Sequence, residues 1–303
     1  MNKTIMTKKY LFESPIKIRV FECDMQGVVN NAYYHNLLEQ TRIDFFESIG
    51  IDLVELLNDQ GIDLIVYQAS IQYRSPIVPG ETVRSCLNMR RENARFVFLQ
   101  DFRRENGELC LKSRVDIVVI KDGKPTRGEL LAQLLEGKVS YHTSSHKTPF
   151  SANLSNGSLD NILFSYEMKV RDYECNRYGS ATNTFVQHYL EITRLEFMES
   201  VGESFRLWHE KGVDMMVSRI DLKFIHPMMS SEKFCSMMNV KHVGPRAIFT
   251  QVIRRKEDNL VCVRAICEIV AIVNGQLDMG SVFEDFMQNQ VPAWLETYRH
   301  KKI

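Results

Sequence analysis

Several things are missing from this chain: a charge excess, a basic cluster, a Cys-x-x-Cys pair and a long apolar run. The 38 Lys and Arg residues are balanced by 38 Asp and Glu. No segment concentrates Lys and Arg over several helical turns, which argues against a nucleic-acid footprint. Seven cysteines, an odd number without close His partners, read as reduced buried thiols and not as a disulfide framework. Cys262 and Cys267 sit among Val, Ala and Ile, where strand-core positions fit better than a metal site. No run approaches the ~20 apolar residues a membrane span needs, and the basic start MNKTIMTKKY has no apolar stretch behind it. The expectation is a cytoplasmic protein with neither nucleic acid nor membrane as partner. What is present is ordinary: 44% hydrophobic and 25% charged residues, enough for a globular core.

The informative feature is a repeat. RVFECDMQGVVNNAYYHNLLEQTRIDFFESIG, residues 19–50, returns as RDYECNRYGSATNTFVQHYLEITRLEFMESVG, residues 171–202. At this offset of 152 the windows agree at 13 of 32 positions, where unrelated windows would agree at roughly 2. Asp24 is the telling mismatch, because its counterpart is Asn176. Two units follow: residues 8–139, then a Ser-, Thr-, Asn- and His-rich linker over 140–161, then residues 162–290.

Each unit reads as α+β. Residues 10–21 alternate as a strand, and 22–29 form a turn around Asp24 and Gly27. From Asn30 the apolar spacing becomes helical and runs to Gly50, with Asn30 and Asn31 as plausible caps. A short helix over 53–58 precedes four strands, 62–73, 82–91, 95–104 and 108–120, and a short helix over 128–137 closes the unit. The second copy repeats this with a strand over 164–173, a helix over 182–201, and later strands including 213–224. Its tail after Gly280, which holds Trp294, reads as one or two short helices. One helix with an antiparallel sheet of about five strands leaves surface in need of a partner, and two joined copies supply it by pairing as a pseudo-dimer.

Glu22, Asp24, Gly27-Val28-Val29, Asn31, Tyr34, Glu39 and Arg42, with the later Tyr73-Arg74-Ser75-Pro76, resemble the hotdog-fold thioesterases. The likeness is strongest to the 4-hydroxybenzoyl-CoA thioesterase-like group and the acyl-acyl carrier protein (acyl-ACP) thioesterases. It covers most of residues 10–125 and, more weakly, 162–275. It implies two tandem hotdog domains and hydrolysis of an acyl-CoA or acyl-ACP thioester, with no cofactor. The chain departs from the family at Asn31, where many relatives carry His. The plant-type Asp-x-Asn-x-His arrangement falls here on Asp24, Gln26 and Val28.

Thioester hydrolysis needs an attacking group, a donor for the carbonyl oxygen and an acyl slot. Asp24, in a turn before a helix, can act as general base on water or as nucleophile. Amides around 30–32 at the positive end of the helix are the expected oxyanion donors, and Gly27 would let the backbone approach the substrate. Asn31 and Glu39 complete the expected catalytic set; Gly27, Val28, Val29, Asn30 and Tyr34 are the expected substrate-binding set. Asn176, Asn183, His188 and Glu191 mark a degenerate second site. Each of these has a plainer reading. Asp24 can be a cap or turn former, Asn31 a cap, and His35 and His188 polar helix residues. Glu39 and Glu191 can form i,i+3 ion pairs with Arg42 and Arg194. Phe45, Phe46, Phe96, Phe98, Met215 and Met216 could shape an acyl tunnel, but at these spacings read first as core. Arg74, Arg90, Arg91 and Arg95 could receive the phosphates of CoA or an acidic carrier surface. A non-catalytic acyl-thioester-binding module and a hotdog hydratase or dehydratase are the alternatives. Acyl chain length, the choice of carrier and homo-oligomer formation are not fixed by the sequence.

Overall fold

The computed structural model describes residues 10–139, 154, 162–292 and 295. Apart from Leu154, the expected linker lies outside the described residues, as does Trp294. The chain divides into two compact units, Met1–Pro149 and Phe150–Ile303.

In the first unit, β1 (Phe12–Lys17) leads through a 3-10 turn, Val20–Glu22, to the long helix α1 (Tyr34–Ser48) and the short α2 (Leu53–Gln60). There follow β2 (Ile62–Tyr73), β3 (Thr82–Glu92), β4 (Arg95–Arg103), β5 (Leu109–Lys121), β6 (Lys124–Pro125) and α3 (Glu129–Leu135). The strands run antiparallel in the order β1-β3-β4-β5-β2, with β6 added to β5. α1 turns Tyr34, Leu37, Leu38, Thr41, Phe45 and Phe46 into the core, the period-3.6 stripe of a helix buried on one face. Phe46 meets Phe98 of β4 with ring centroids 6.1 Å apart. Phe45, Phe46, Phe96 and Phe98 are fully buried, so all four are core side chains.

The second unit repeats the order with β7 (Phe164–Lys169), a 3-10 turn Asp172–Glu174, α4 (Asn183–Ser200) and α5 (Phe205–Glu210). Then come β8 (Val213–Phe224), β9 (Lys233–Val243), β10 (Arg246–Arg255), β11 (Val261–Val273), β12 (Gln276–Leu277) and α6 (Ser281–Asp285), followed by a π-helical turn, Phe286–Gln290. Its strand order is β8-β11-β10-β9-β7, with β12 on β11. The duplication extends to irregularities. The β2–β5 register skips Tyr67, and the β8–β11 register skips Ser218, one bulge in each unit at the same place.

Both copies of the first strand are shorter than expected, ending at Lys17 and Lys169, because the residues that follow close 3-10 turns. All seven cysteines are free, and Cys262 and Cys267 are buried. Among the described residues no helix is long and apolar enough to cross a membrane, and no group of three or more His, Cys, Asp or Glu could hold a metal.

Candidate active site

The loop between β1 and α1 is clamped at both ends by Glu22. Its Oε2 accepts the Arg19 N–H at 2.7 Å and its Oε1 accepts Arg19 Nε at 2.8 Å, while its main-chain oxygen accepts the Asn30 N–H at 2.9 Å. A bridge between Cys23 and Val29 draws the two sides together, and inside it sits the turn bearing Asp24. The Asp24 N–H donates to Val28 O at 3.0 Å, the Gly27 N–H donates to Asp24 O at 3.0 Å, and Asp24 Oδ1 accepts the Gln26 N–H at 2.9 Å. Gly27 holds φ at +74°, and a Cβ there would meet nothing within 4 Å. Glycine is required for its backbone conformation, and the space beside it is open. Asp24 is half-buried. Cys23, next to it, is no thiolate: burial and the charges of Asp24 and Glu22 push its thiol up from 9.0.

The second unit builds the same turn without the charge. The Asn176 N–H donates to Ser180 O at 2.8 Å, Gly179 takes φ +75°, and Cys175 bridges Ala181. Asn176 Oδ1 accepts the N–H groups of Tyr178 at 3.0 Å and Ser180 at 3.3 Å, and the Ser180 hydroxyl at 3.1 Å. The clamp persists, with Glu174 Oε2 accepting the Arg171 N–H at 2.6 Å. Glu174 also accepts the Tyr189 hydroxyl, and burial together with that carboxylate drives the phenol far above its ordinary range.

The amide donors differ from expectation. α1 begins at Tyr34, not Asn30, because the Asn30 side chain turns back on its own loop and accepts the Ala32 N–H at 2.9 Å. The Tyr33 N–H donates to Asn30 O at 3.0 Å. The amides of Asn30 and Ala32 are therefore spent inside the turn, which removes them as oxyanion donors. The amide of Tyr34, the first residue of α1, bonds to no carbonyl of the described turn. In the second unit Thr182 stands at the position of Asn30 and caps α4 directly, accepting the Phe185 N–H at 3.5 Å, so that helix starts at Asn183, one turn earlier.

The remaining expected residues separate into loop, core and surface. Val28 is half-buried and supplies the carbonyl that Asp24 uses; Asn31 is half-buried, its carbonyl accepting the Tyr73 hydroxyl at 3.0 Å. Val29 and Tyr34 belong to the core: both are buried, and the Tyr34 ring packs edge-on to Tyr73 at 5.1 Å and stacks on Phe102 at 6.2 Å. Burial pushes the Tyr34 phenol well above its ordinary range, so it remains protonated. Glu39 is exposed on α1 and makes no contact ion pair with Arg42. Arg42 points inward instead, and its Nη1 donates to Gln100 Oε1 at 2.9 Å, whose Nε2 donates to Leu38 O at 2.9 Å. Burial lowers the Arg42 guanidinium to about 10, against the opposing charge of Glu39. Arg194, Gln251 and Leu190 reproduce the arrangement at 2.6 Å and 2.9 Å, and Glu191 lies 3.5 Å from His188 Nδ1. His35 is buried, and Arg90, Arg95 and Arg114 are taken up by Glu92 and Asp116. Arg74 stays exposed, and Arg91 donates to the carbonyls of Asn93 and Arg127.

Reading the sequence missed Gln100 and Gln251, which hold the buried arginines. It also missed Arg104, whose guanidinium bonds Ser75 Oγ and Pro76 O at 2.7 Å each and fixes the loop beside Asn31. The two glutamines had a signal: each lies five residues after the Arg of matching runs, RFVFLQ and RAIFTQ.

A long helix laid against an antiparallel sheet of this strand order, built twice along the chain, is a tandem hotdog fold. Residues 18–151 match the model of the thioesterase-like superfamily. Among curated proteins, a chloroplastic acyl-acyl carrier protein thioesterase of Arabidopsis thaliana is 35% identical over 97 residues, 32% of this chain and 51% of that protein. The chain thus spans about half the length of that relative. Among solved structures, the 12:0-ACP thioesterase of Umbellularia californica matches at TM-score 0.68 and 11% identity, covering 86% of this chain and 97% of the other. An acyl-ACP thioesterase of Bacteroides thetaiotaomicron matches at TM-score 0.59 and 10% identity, with 86% and 97% covered. At these identities the structural likeness establishes the fold.

Proposed function

We propose that the chain hydrolyses an acyl thioester of CoA or of a carrier protein, with Asp24 as its working carboxylate. The observation that carries this reading is the paired turn. Both units keep the glycine, the bridge and the Glu clamp, and only the first keeps a carboxylate. Asp24 takes a proton from water as the water oxygen attacks the thioester carbonyl. The carbon–sulfur bond then breaks, and the thiolate takes up the proton to leave as thiol beside the carboxylic acid product. Direct attack by Asp24 through a mixed anhydride, later cleaved by water, gives the same products. The thiol is a good leaving group, so one carboxylate suffices where the plant-type His is replaced by Val28. The positive end of α1, with the Tyr34 amide at its first residue, supplies the stabilisation of the developing oxyanion.

The names of the relatives, acyl-ACP thioesterases, agree with the substrate class. The test follows free thiol released by the purified chain from a panel of acyl-CoA and acyl-ACP thioesters. Turnover well above the uncatalysed rate on at least one of them is expected. Tight acyl-thioester binding without thiol release would instead make the protein a non-catalytic binding module.

A further inference from the structure

Four large apolar side chains stand in solvent around Asp24: Val20 is 78% exposed, Phe21 67%, Met25 61% and Val78 46%. They lie on two segments of the first unit, residues 17–29 and 74–80, that are stitched together by backbone bonds. The Gly80 N–H donates to Ile18 O at 3.0 Å, the Val29 N–H donates to Ile77 O at 2.9 Å, and the Lys17 ammonium bonds Gly80 O. Scattered exposed apolar residues need no explanation, but four on adjoining loops beside a proposed active site form a cluster that does.

The charges that reach solvent on the same segments have one sign, although Arg19 also pairs with the buried Glu22. Every exposed charged residue there is a cation, namely Lys17, Arg19 and Arg74, whereas Glu22 is buried and Asp24 half-buried. The Arg19 guanidinium lies over the Phe21 ring, 5.0 Å from its centroid, so cation and apolar surface are continuous. The copy that lost the carboxylate keeps exposed cations at Lys169 and Arg171 but changes the apolar side chains between them. At the positions of Val20 and Met25 the second unit has Asp172 and Arg177, and the exposed Tyr173 replaces Phe21.

We propose that this face docks an acidic acyl carrier protein, which presents its thioester to Asp24 on a flexible pantetheine arm. The proposal rests on the thioesterase reading and decides its open point, the carrier. Free CoA offers the same arm and phosphates that cations can attract, but it has no protein surface to cover Phe21, Val20 and Met25. A small protein with an acidic helix and an apolar edge has both. Aromatic anchors ringed by charge are the pattern of a docking centre, and the cations steer the encounter.

The experiment uses the full chain and a holo acyl carrier protein whose acyl group is joined through a non-cleavable thioether, so that binding is read independently of hydrolysis. The double variant Lys17→Glu/Arg74→Glu and the single variant Phe21→Ser should each weaken carrier binding by ~10-fold or more. Phe21→Ser, which removes no charge, should raise KM for the matched acyl carrier protein thioester while changing kcat/KM for the acyl-CoA by less than about twofold. Wild-type binding should weaken as salt rises. Carrier binding that ignores all three substitutions overturns the proposal, and so does a parallel loss on acyl-CoA in Phe21→Ser. Self-association of the wild-type chain that Phe21→Ser disperses would give the face to a second copy, and that too overturns it. Absence of thiol release from any substrate defeats the thioesterase reading alone, because the thioether complex still reports docking.

Discussion

Arg42 and Arg194 each place a guanidinium inside the protein with a glutamine, not a carboxylate, as its contact partner. Such a charge survives burial because Gln100 and Gln251 accept from it and pass a hydrogen bond on to the helix carbonyls of Leu38 and Leu190. Replacing Gln100 with Leu leaves a buried cationic donor and a carbonyl unmatched, which should cost about 1–3 kcal/mol in urea unfolding. Glu39→Gln, which removes only an exposed charge, should stay within about 0.5 kcal/mol. This pairing was hard to see in the sequence. Glu39-x-x-Arg42 has ion-pair spacing, and spacing alone does not say that the arginine turns inward.

A second residue-scale consequence concerns pH. Burial acts to raise the Glu81 carboxyl, but the Arg104 hydrogen bond, the Val78 amide and the Arg104 charge together outweigh it and hold the group below its ordinary 4.5. A depressed folded-state value means stability that is present above the unfolded value and lost as pH falls through the folded one. Acid titration should therefore show a loss of stability below about pH 4.5. Glu81→Gln should flatten that part of the profile and leave the neutral-to-basic part unchanged in shape.

Among the elements, the strands were the most legible. Turn residues at Pro79-Gly80, Asn106-Gly107 and Asp122-Gly123 bound the strands that follow α2, and all four fall within about a residue of expectation, although β4 is buried along its whole interior and does not alternate. Loop and helix starts were less so. Asn is equally at home as a helix cap and in a turn closed by its own side chain, and Asn30 does the second while Thr182 does the first. Thr182→Ala should accordingly cost about 1 kcal/mol, read by thermal or urea unfolding. The glycine turn makes a sharper prediction. Gly27→Ala meets no steric contact but forces an L side chain to φ +74°, about 1–2 kcal/mol of backbone strain. It should also reduce thiol release by displacing Asp24. Gly179→Ala should carry the same strain with no effect on turnover.

At the scale of the molecule, the duplication preserves a scaffold and varies the loop ahead of each long helix. The strand order, the sheet bulge, the Glu clamp and the buried Arg–Gln pair recur; the carboxylate and the exposed Val20 and Met25 do not. This asymmetry was legible in the sequence as Asp24 against Asn176. The docking face was not, because Val20, Phe21 and Met25 read as parts of a strand and turn until their exposure is known. Restoring the charge should not restore a second site. In an Asn176→Asp chain the new carboxylate would sit among the Ser180 hydroxyl and two amides that already hold Oδ1, which favours a firmly ionised, poorly basic group.

The most direct test of the central claim is thiol release by Asp24→Asn beside wild type and Asn176→Asp, all three checked for equal folding. Asn keeps the turn, as the second unit demonstrates, so Asp24→Asn should unfold like wild type within about 0.5 kcal/mol. Its turnover should fall by about 10²–10⁴-fold, and Asn176→Asp should add nothing to wild-type turnover. Full activity in Asp24→Asn, or a comparable gain from Asn176→Asp, would contradict a single working carboxylate in the first unit.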